Sequence, residues 1–155
     1  MAYRALFSDS EWQTLQFAPL WAFSAVAGAD GKIDDHETAV LMKEVAEAPL
    51  HKGAFVREVM TSLATDLVRV SAAYKADSRN AFTGLVEVRG LLTRVDKDQA
   101  AIFKFAVMAI GKATAEASGP MFGAKIAVEE QQAWALAAVM LGFDLNESQA
   151  AIATL

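Results

Sequence analysis

The sequence contains no cysteine, and this absence excludes several kinds of site at once. Disulfides, thiolate zinc sites and cysteine nucleophiles all require a thiol. A chain without cysteine also suits a reducing compartment, so we expect a cytoplasmic protein.

Basic residues are few and scattered. Fourteen lysines and arginines stand against nineteen aspartates and glutamates, which gives a formal net charge of −5. Proteins that bind nucleic acid need a basic surface to neutralise phosphates, and this chain has no basic cluster. Nucleic acid is therefore not an expected partner.

Long apolar runs are also missing. No stretch approaches the roughly 18 apolar residues of a membrane-spanning helix, since Lys104 and Lys112 interrupt the segment from Ala100 to Ala115. The segment from Leu15 to Ala29 resembles the core of a secretory signal peptide, but only Arg4 provides positive charge before it. We therefore expect neither an integral membrane protein nor a secreted one.

What the chain does contain is helical periodicity. Strand-like alternation is almost absent, 54% of the residues are hydrophobic, and no linker rich in proline, glycine or serine divides the 155 residues. A chain of this length is sufficient for one continuous core. The pattern predicts an all-α fold, a single-domain helical bundle of about six to eight helices over residues 1–155.

Start signals and apolar stripes place the individual helices. Ser8 followed by Glu11 forms a capping-box pattern, which predicts a helix to about Ala27 with a kink or restart at Pro19. Glu58 falls among the polar positions of a later amphipathic stretch. Further apolar stripes cover 55–74, 82–95, 96–118 and 128–141, of which the second is weakened by Gly84 and Gly90.

The large aromatic residues are expected in the core, because a bundle of this size needs bulky apolar side chains. The same side chains could instead line a ligand pocket between helices, and a sequence does not distinguish the two. These residues are Trp12, Trp21, Trp134, Phe17, Phe23, Phe103 and Phe105.

The run Asp30-Gly31-Lys32-Ile33-Asp34-Asp35-His36-Glu37 forms an acidic turn that matches the back half of an EF-hand calcium loop. With Gly31 at loop position 6, Glu37 occupies position 12, where a bidentate carboxylate is expected. Val26 and Gly28 occupy positions 1 and 3, which need side-chain oxygens, so a complete EF-hand is excluded.

The acidic turn nevertheless carries the oxygen ligands that hard cations prefer. Asp30, Asp34 and Glu37, together with the Lys32 carbonyl, provide a ligand set for a divalent cation such as calcium or magnesium. Asp35 is a spare carboxylate in the same turn.

The same residues also have a purely structural interpretation. Asp34 as the N-cap and Glu37 three residues later form a second capping-box pattern, which opens a helix to about residue 48. Acidic residues near a helix N-terminus also favour the helix dipole. From the residues alone, both interpretations stay open.

A faint internal repeat divides the chain into two halves. Lys32-Ile33 with Glu37 recurs as Lys125-Ile126 with Glu130, and each copy follows an apolar helix that ends in small residues. The first unit covers about 15–48 and the second about 100–144.

The run from Ala25 to Glu37 resembles the signature of the TerB-like tellurite-resistance family. That family shows an apolar helix ending in small residues, then Asp-Gly, then a Glu six residues after the Gly. Its members carry two such units in one all-helical domain. The second unit commonly closes with Leu-Gly-Phe-Asp, which is Leu141-Gly142-Phe143-Asp144 here, so the resemblance spans about Leu15 to Asp144.

The second unit departs from the family pattern. Gly119 to Ile126 replaces the expected Asp-Gly segment, and Ala127-Val128 stands where acids are expected, which leaves only Glu129 and Glu130. Any metal function implied by the resemblance therefore rests on the first turn, with Glu129, Glu130 or Asp144 as further candidates.

The resemblance implies a cytoplasmic, non-enzymatic stress-response protein tied to tellurite or other chemical stress. Such a protein is expected to bind a divalent cation and to act through protein partners, some of them at membranes. Two alternatives stay open: a structural or interaction module whose acidic turn only caps a helix, and an enzyme or small-ligand binder that uses an inter-helix pocket. Self-association as a homo-oligomer is a further expectation of the two-half arrangement.

Overall fold

The computed structural model describes residues 3–27, 39–41, 43, 45, 47, 53–118 and 128–143. These residues form helices and contain no strand, which confirms the predicted all-α fold. Residues 39–41 are helical as well. The main helices are α1 (Asp9–Ala27), α2 (Ala54–Thr65), α3 (Leu67–Ala76), α4 (Ala81–Leu91), α5 (Lys97–Ser118) and α6 (Val128–Leu141), with short 3-10 helices at Arg4–Leu6 and Leu92–Arg94.

Helix α1 lies at the centre of the bundle. All residues from 14 to 25 are buried, because the segment is largely apolar on every side and other helices surround it. It packs against α2, α3, α4, α5 and α6. Its side chains share one core with those helices and with Leu41 and Val45, which follow the acidic turn in sequence.

The start of α1 has the predicted capping box. The Glu11 backbone N–H donates to Ser8 Oγ at 3.2 Å, and the Ser8 N–H donates to Glu11 Oε1 at 2.8 Å. The helix then continues without interruption to Ala27. The predicted restart at Pro19 is therefore wrong; tertiary packing on all sides holds the helix together although proline removes one backbone donor.

The amphipathic stretch over residues 55–74 is divided into two helices at Asp66. Asp66 has φ −107° and ψ 23°, which is not a helical conformation, and it closes α2 by donating its N–H to the Ser62 carbonyl at 3.0 Å. Its own carbonyl accepts from the Val70 N–H and starts α3. The chain can therefore change direction here while the apolar stripe continues into the same core.

Two glycines allow helices to approach α1 closely. A Cβ built on Gly84 of α4 would lie 2.3 Å from the Trp21 ring, and one built on Gly111 of α5 would lie 2.8 Å from Ala22 Cβ. Gly84 weakens the intrinsic propensity of its helix, but it makes room for the indole ring of Trp21. Glycine at these positions therefore serves packing.

The C-terminal end of α6 is a Schellman motif built by Leu141-Gly142-Phe143. Gly142 has φ +118°, and the Phe143 N–H donates to the Ala138 carbonyl at 2.9 Å. Lys104 of α5 donates from Nζ to the Gly142 carbonyl at 3.3 Å and lies 5.1 Å from the Phe143 ring centroid. The Leu141-Gly142-Phe143 part of the Leu-Gly-Phe-Asp pattern is therefore explained by the termination of α6.

Six of the seven aromatic residues predicted for the core are buried, but Phe105 is 61% exposed. The opposite face of α5 is directed toward the core and carries the buried residues Phe103, Ala106 and Val107. Phe105 instead packs edge-on against Phe143, with 5.0 Å between the ring centroids. The core prediction was therefore wrong for Phe105.

In the part of the chain that the structure describes, no helix is long and apolar enough to cross a membrane.

Candidate functional site

The four predicted metal ligands, Asp30, Asp34, Asp35 and Glu37, lie outside the described residues, so their arrangement stays a prediction. The structure does describe residues on both sides of the acidic turn. Helix α1 ends at Ala27, and residues 39–41 are helical again. In the sequence, the acidic turn therefore lies between two helical segments.

The helix end that precedes the acidic turn is firmly held. The hydroxyl oxygens of Ser24 and Tyr74 lie 2.8 Å apart, and the Tyr74 hydroxyl also donates to the Leu20 carbonyl at 3.5 Å. The Tyr74 ring packs against Phe17 with 5.4 Å between centroids. Burial raises the pKa of the Tyr74 hydroxyl, since it disfavours the phenolate. Tyr74 thus ties the last turns of α1 to α3.

The second family-like unit is described only in part. Glu129 and Glu130 lie in the first turn of α6. Lys125-Ile126 and Asp144 lie outside the described residues. The internal repeat therefore stays a prediction.

Among the residues with a described placement, no group of three or more His, Asp or Glu side chains is arranged to hold a metal ion. Several of the carboxylates in these ranges pair with arginine instead. The pairs are Arg4–Asp9, Arg69–Asp66, Arg79–Asp77, Arg79–Glu87 and Arg94–Glu11.

The densest of these charged groups centres on Arg79, just before α4. Its guanidinium donates from Nε and Nη2 to the two Asp77 oxygens at 3.0 and 2.7 Å. Nη1 donates to Thr14 Oγ1 of α1 at 3.1 Å and also to Glu87 of α4. The guanidinium carbon lies 4.9 Å from the Trp21 ring centroid, within cation–π range.

The charges of this cluster stabilise one another. The hydrogen bonds from the Arg79 guanidinium lower the pKa of the Asp77 carboxyl despite its partial burial. In return, the hydrogen bond to Asp77, followed by that to Glu87, raises the pKa of Arg79. Both groups therefore stay charged at neutral pH, and the cluster joins α1 to α4 as a structural link.

The Arg79 cluster and a second ion pair, Arg94–Glu11, both line a cleft of about 650 Å³ between α1 and α4. Arg94 Nη2 lies 2.7 Å from Glu11 Oε2. Hydrogen bonding to Arg94, assisted by the Ser8 N–H, lowers the pKa of Glu11 to about 2. Glu11 thus both caps α1 and fixes the 3-10 helix that precedes α5.

A groove with a volume of about 560 Å³ lies on the opposite side of α1, beside α2. Its floor includes Ser62, whose Oγ accepts from Trp12 Nε1 at 3.0 Å and from Gln16 Nε2 at 3.1 Å. The same hydroxyl donates to the Val59 carbonyl at 2.8 Å. Because a serine hydroxyl has one donor and two acceptor sites, these bonds use all of them. Ser62 therefore joins α2 to α1.

Two charged side chains with long-range partners, Glu58 and Arg79, could not be recognised from the sequence. Glu58 falls at a polar position of its amphipathic stretch, yet it is only 8% exposed. Arg79 lies in a polar loop, and its contacts to Thr14 and Trp21 cross more than fifty residues of sequence. The only local signal was the Asp77-x-Arg79 spacing, which is common in loops.

Comparisons with known proteins leave the family open. No family model matches the chain, and no solved structure matches it. An archaeal protein, "Uncharacterized protein ORF11'" of Methanothermobacter thermautotrophicus, is 28% identical over 106 residues, which cover 67% of this chain and 72% of that protein. The chain is thus similar to a protein whose name states no activity.

Proposed function

We propose that this is a non-enzymatic, cytoplasmic stress-response protein of the TerB-like kind. It binds a divalent cation, calcium or magnesium, through Asp30, Asp34 and Glu37, with Asp35 as a spare carboxylate, and it acts through protein partners. The observation that carries the proposal is the place of the acidic turn in the sequence, between α1 and a second helical segment. In that segment Leu41 and Val45 are 1% and 2% exposed and belong to the common core.

In this proposal, the bound cation fixes the position of the helical segment that follows the acidic turn. Helix α1 is the central helix, and its last turns are held by Ser24 and Tyr74. A cation that bridges carboxylates from the turn fixes the following helical segment relative to this rigid end. The cation would thereby order one surface of the bundle. That surface would be the place where a protein partner, in solution or at a membrane, or a second copy of the chain, docks.

Calorimetric titration of the metal-stripped protein with calcium, magnesium, manganese and zinc tests the proposal. The matched variant is Asp30→Asn/Glu37→Gln, which keeps side-chain size and removes two negative charges. We expect saturable binding of one of the hard cations by the wild type and its loss in the variant, because these ions need carboxylate oxygens. Equal heats from both proteins would place the ion elsewhere, and no heat with any ion would remove the cation from the proposal.

A second candidate function is a structural or interaction module in which the acidic turn only caps a helix. This candidate is favoured by how the chain starts its other helices. Ser8 caps α1 in a box with Glu11, and Asn80 Oδ1 accepts from the Thr83 N–H at 2.8 Å at the start of α4. Asp34 followed by Glu37 fits the same pattern.

The single variant Glu37→Gln separates the two candidates. Glutamine serves a capping box as well as glutamate does, whereas it offers a cation only one neutral oxygen. A cap therefore predicts that the metal-free variant loses at most about 0.3–1 kcal/mol, through the weaker interaction with the helix dipole, and that metal affects neither protein. A cation site predicts the same metal-free stability but a loss of metal binding.

A further inference from the structure

The residues that precede α1, numbered 3–8, lie across α1 and α2 and form a strap. The Tyr3 ring packs against Phe55 of α2 with 5.3 Å between centroids. Phe7 lies 6.1 Å from the Phe55 ring and 6.0 Å from the Trp12 ring. The strap therefore covers an aromatic surface formed by the first turns of both helices.

The strap is held by a buried carboxylate. Glu58 of α2 accepts from the Tyr3 N–H through Oε2 at 3.1 Å and from the Arg4 N–H through Oε1 at 3.4 Å. These two amides begin the 3-10 helix Arg4–Leu6, where a helix has no backbone acceptor of its own for them. Both hydrogen bonds that the structure gives to the Glu58 carboxylate thus go to the strap.

This use of Glu58 makes its burial depend on the strap. A carboxylate that is only 8% exposed is costly unless hydrogen bonds replace its water. When the strap detaches, water reaches Glu58 and replaces part of its two hydrogen bonds to the strap. A leucine or methionine at this position would gain nothing from contact with water. Glutamate therefore favours an attachment that can open.

The remaining attachments of the strap are light. Its 3-10 helix contains no buried residue, Leu6 is 46% exposed, and only Phe7 is a buried anchor. The polar and cation–π attachments all lie at the surface. Arg94 donates from Nη1 to the Leu6 carbonyl at 3.3 Å and lies 5.6 Å from the Phe7 ring centroid. The Tyr3 hydroxyl donates to Asp96 Oδ1 at 3.4 Å. Arg4 lies 5.4 Å from the Trp12 ring centroid and pairs with an Asp9 that is almost fully exposed. Segments with few buried contacts open at a much lower free energy than the core.

We propose that residues 3–8 are a releasable strap, latched by Glu58, whose opening uncovers an aromatic groove between α1 and α2. The groove of about 560 Å³ beside Trp12, Gln16 and Ser62 continues this surface. Once open, it offers Phe55 and Trp12 to an aromatic side chain and the Glu58 carboxylate to two backbone N–H groups. A peptide segment that resembles the strap fits this chemistry. The strap does not involve the acidic turn, so it is independent of the function proposed above.

Amide hydrogen exchange of the full chain tests the strap. The Leu6 and Phe7 amides, which donate to the Tyr3 and Arg4 carbonyls at 3.0 and 3.3 Å, report its docked state. In Glu58→Gln we expect these amides to exchange at least about tenfold faster, because one charge-assisted acceptor is lost. Amides of α1 and α5 keep their wild-type rates, and an apolar fluorescent dye binds the variant more strongly. The control Glu47→Gln, which changes an exposed glutamate, behaves as the wild type.

Phe7→Ala gives a second, independent way to open the strap. It removes the buried anchor and should produce the same localised acceleration and the same gain in dye binding. Faster exchange spread over α1, α2 and α5 in both variants would show that the strap unfolds only with the core, and would overturn the proposal. Unchanged exchange at Leu6 and Phe7, or acceleration without dye binding, would overturn it as well.

Discussion

Two phenylalanines on α5 have opposite environments, although they are two residues apart. Phe103 is fully buried and packs 4.9 Å from the Phe55 ring centroid, whereas Phe105 points away from the core. A helix turns about 100° per residue, so positions two apart lie on nearly opposite faces, and both are buried only where other helices surround the helix, as they surround α1. Apolar residues occur on all sides of this helix. The sequence pattern therefore did not show which of the two phenylalanines is buried.

Phe103→Ala and Phe105→Ala form a matched pair that tests this assignment. We expect Phe103→Ala to lower the free energy of unfolding by about 3–5 kcal/mol, because it leaves a cavity. Phe105→Ala should cost less than about 1 kcal/mol, since it loses only the edge contact with Phe143. Urea unfolding measures both values. Similar losses in the two variants would contradict the described orientation of α5.

The Glu11 carboxyl makes a second prediction at the residue scale. Its pKa is lowered to about 2 by Arg94, from an ordinary value of 4.5. A depressed carboxyl pKa stabilises the fold above the unfolded-state value, and this stabilisation is lost as the pH falls toward about 2. Since Glu11 is solvent-accessible, the effect is screened by salt.

Titration of the Glu11 carboxyl by carbon-detected NMR measures this shift directly. In Arg94→Ala the Glu11 pKa should rise toward its ordinary value, because the dominant hydrogen bond is removed. Arg57→Ala, which changes an exposed arginine on α2, should leave it unchanged. A wild-type Glu11 that titrates near 4.5 would rule out the described ion pair.

At the scale of helices, the two glycines of α4 have different roles. Gly84 faces the Trp21 ring, where an added Cβ would lie 2.3 Å from a ring atom, and Gly90 has no atom within 4 Å of that position. Gly84→Ala should therefore destabilise the protein by about 1–3 kcal/mol through overpacking. Gly90→Ala should stabilise it by about 0.5–1 kcal/mol through helix propensity.

Thermal and urea unfolding of the two alanine variants compare the same chemical change in one helix. Opposite signs are expected, because packing decides at Gly84 and propensity at Gly90. If Gly84→Ala were also stabilising, α4 could not pack against Trp21 as described.

The helix ends that depend on neighbouring residues were predicted correctly from the sequence. The capping box of Ser8 and Glu11, the end of α1 at Ala27 and the range of α6 all follow from neighbouring residues. The break at Asp66 and the continuity through Pro19 depend on packing against distant helices, and the prediction missed both. Tertiary contacts override local propensity at such points.

The candidate sites follow the same rule. The acidic turn could be proposed as a site because its ligand spacing lies in eight consecutive residues, and it stays a prediction since those residues lie outside the described ones. Glu58 and Arg79 were missed, since their partners in the strap and in α1 lie far away in sequence. A polar position in a helical pattern indicates solvent by default, and only the folded chain shows that a strap covers Glu58.

At the scale of the whole molecule, the account depends on coupling between the acidic turn and the core. Helix α1 contacts the other helices, and the acidic turn follows its end closely in sequence. Leu41 and Val45 bring the following helical segment into the same core. A ligand that binds only the folded turn must therefore stabilise the entire bundle.

The measurement that tests this claim most directly is thermal and urea unfolding of the wild type and Glu37→Gln, with and without the preferred cation. At a free cation concentration of one hundred times Kd, the wild type should gain about 2.7 kcal/mol of unfolding free energy. Glu37→Gln should lie within about 1 kcal/mol of the metal-free wild type and gain nothing from the cation. An equal gain in both proteins, or no gain in either, would contradict a cation site at the acidic turn.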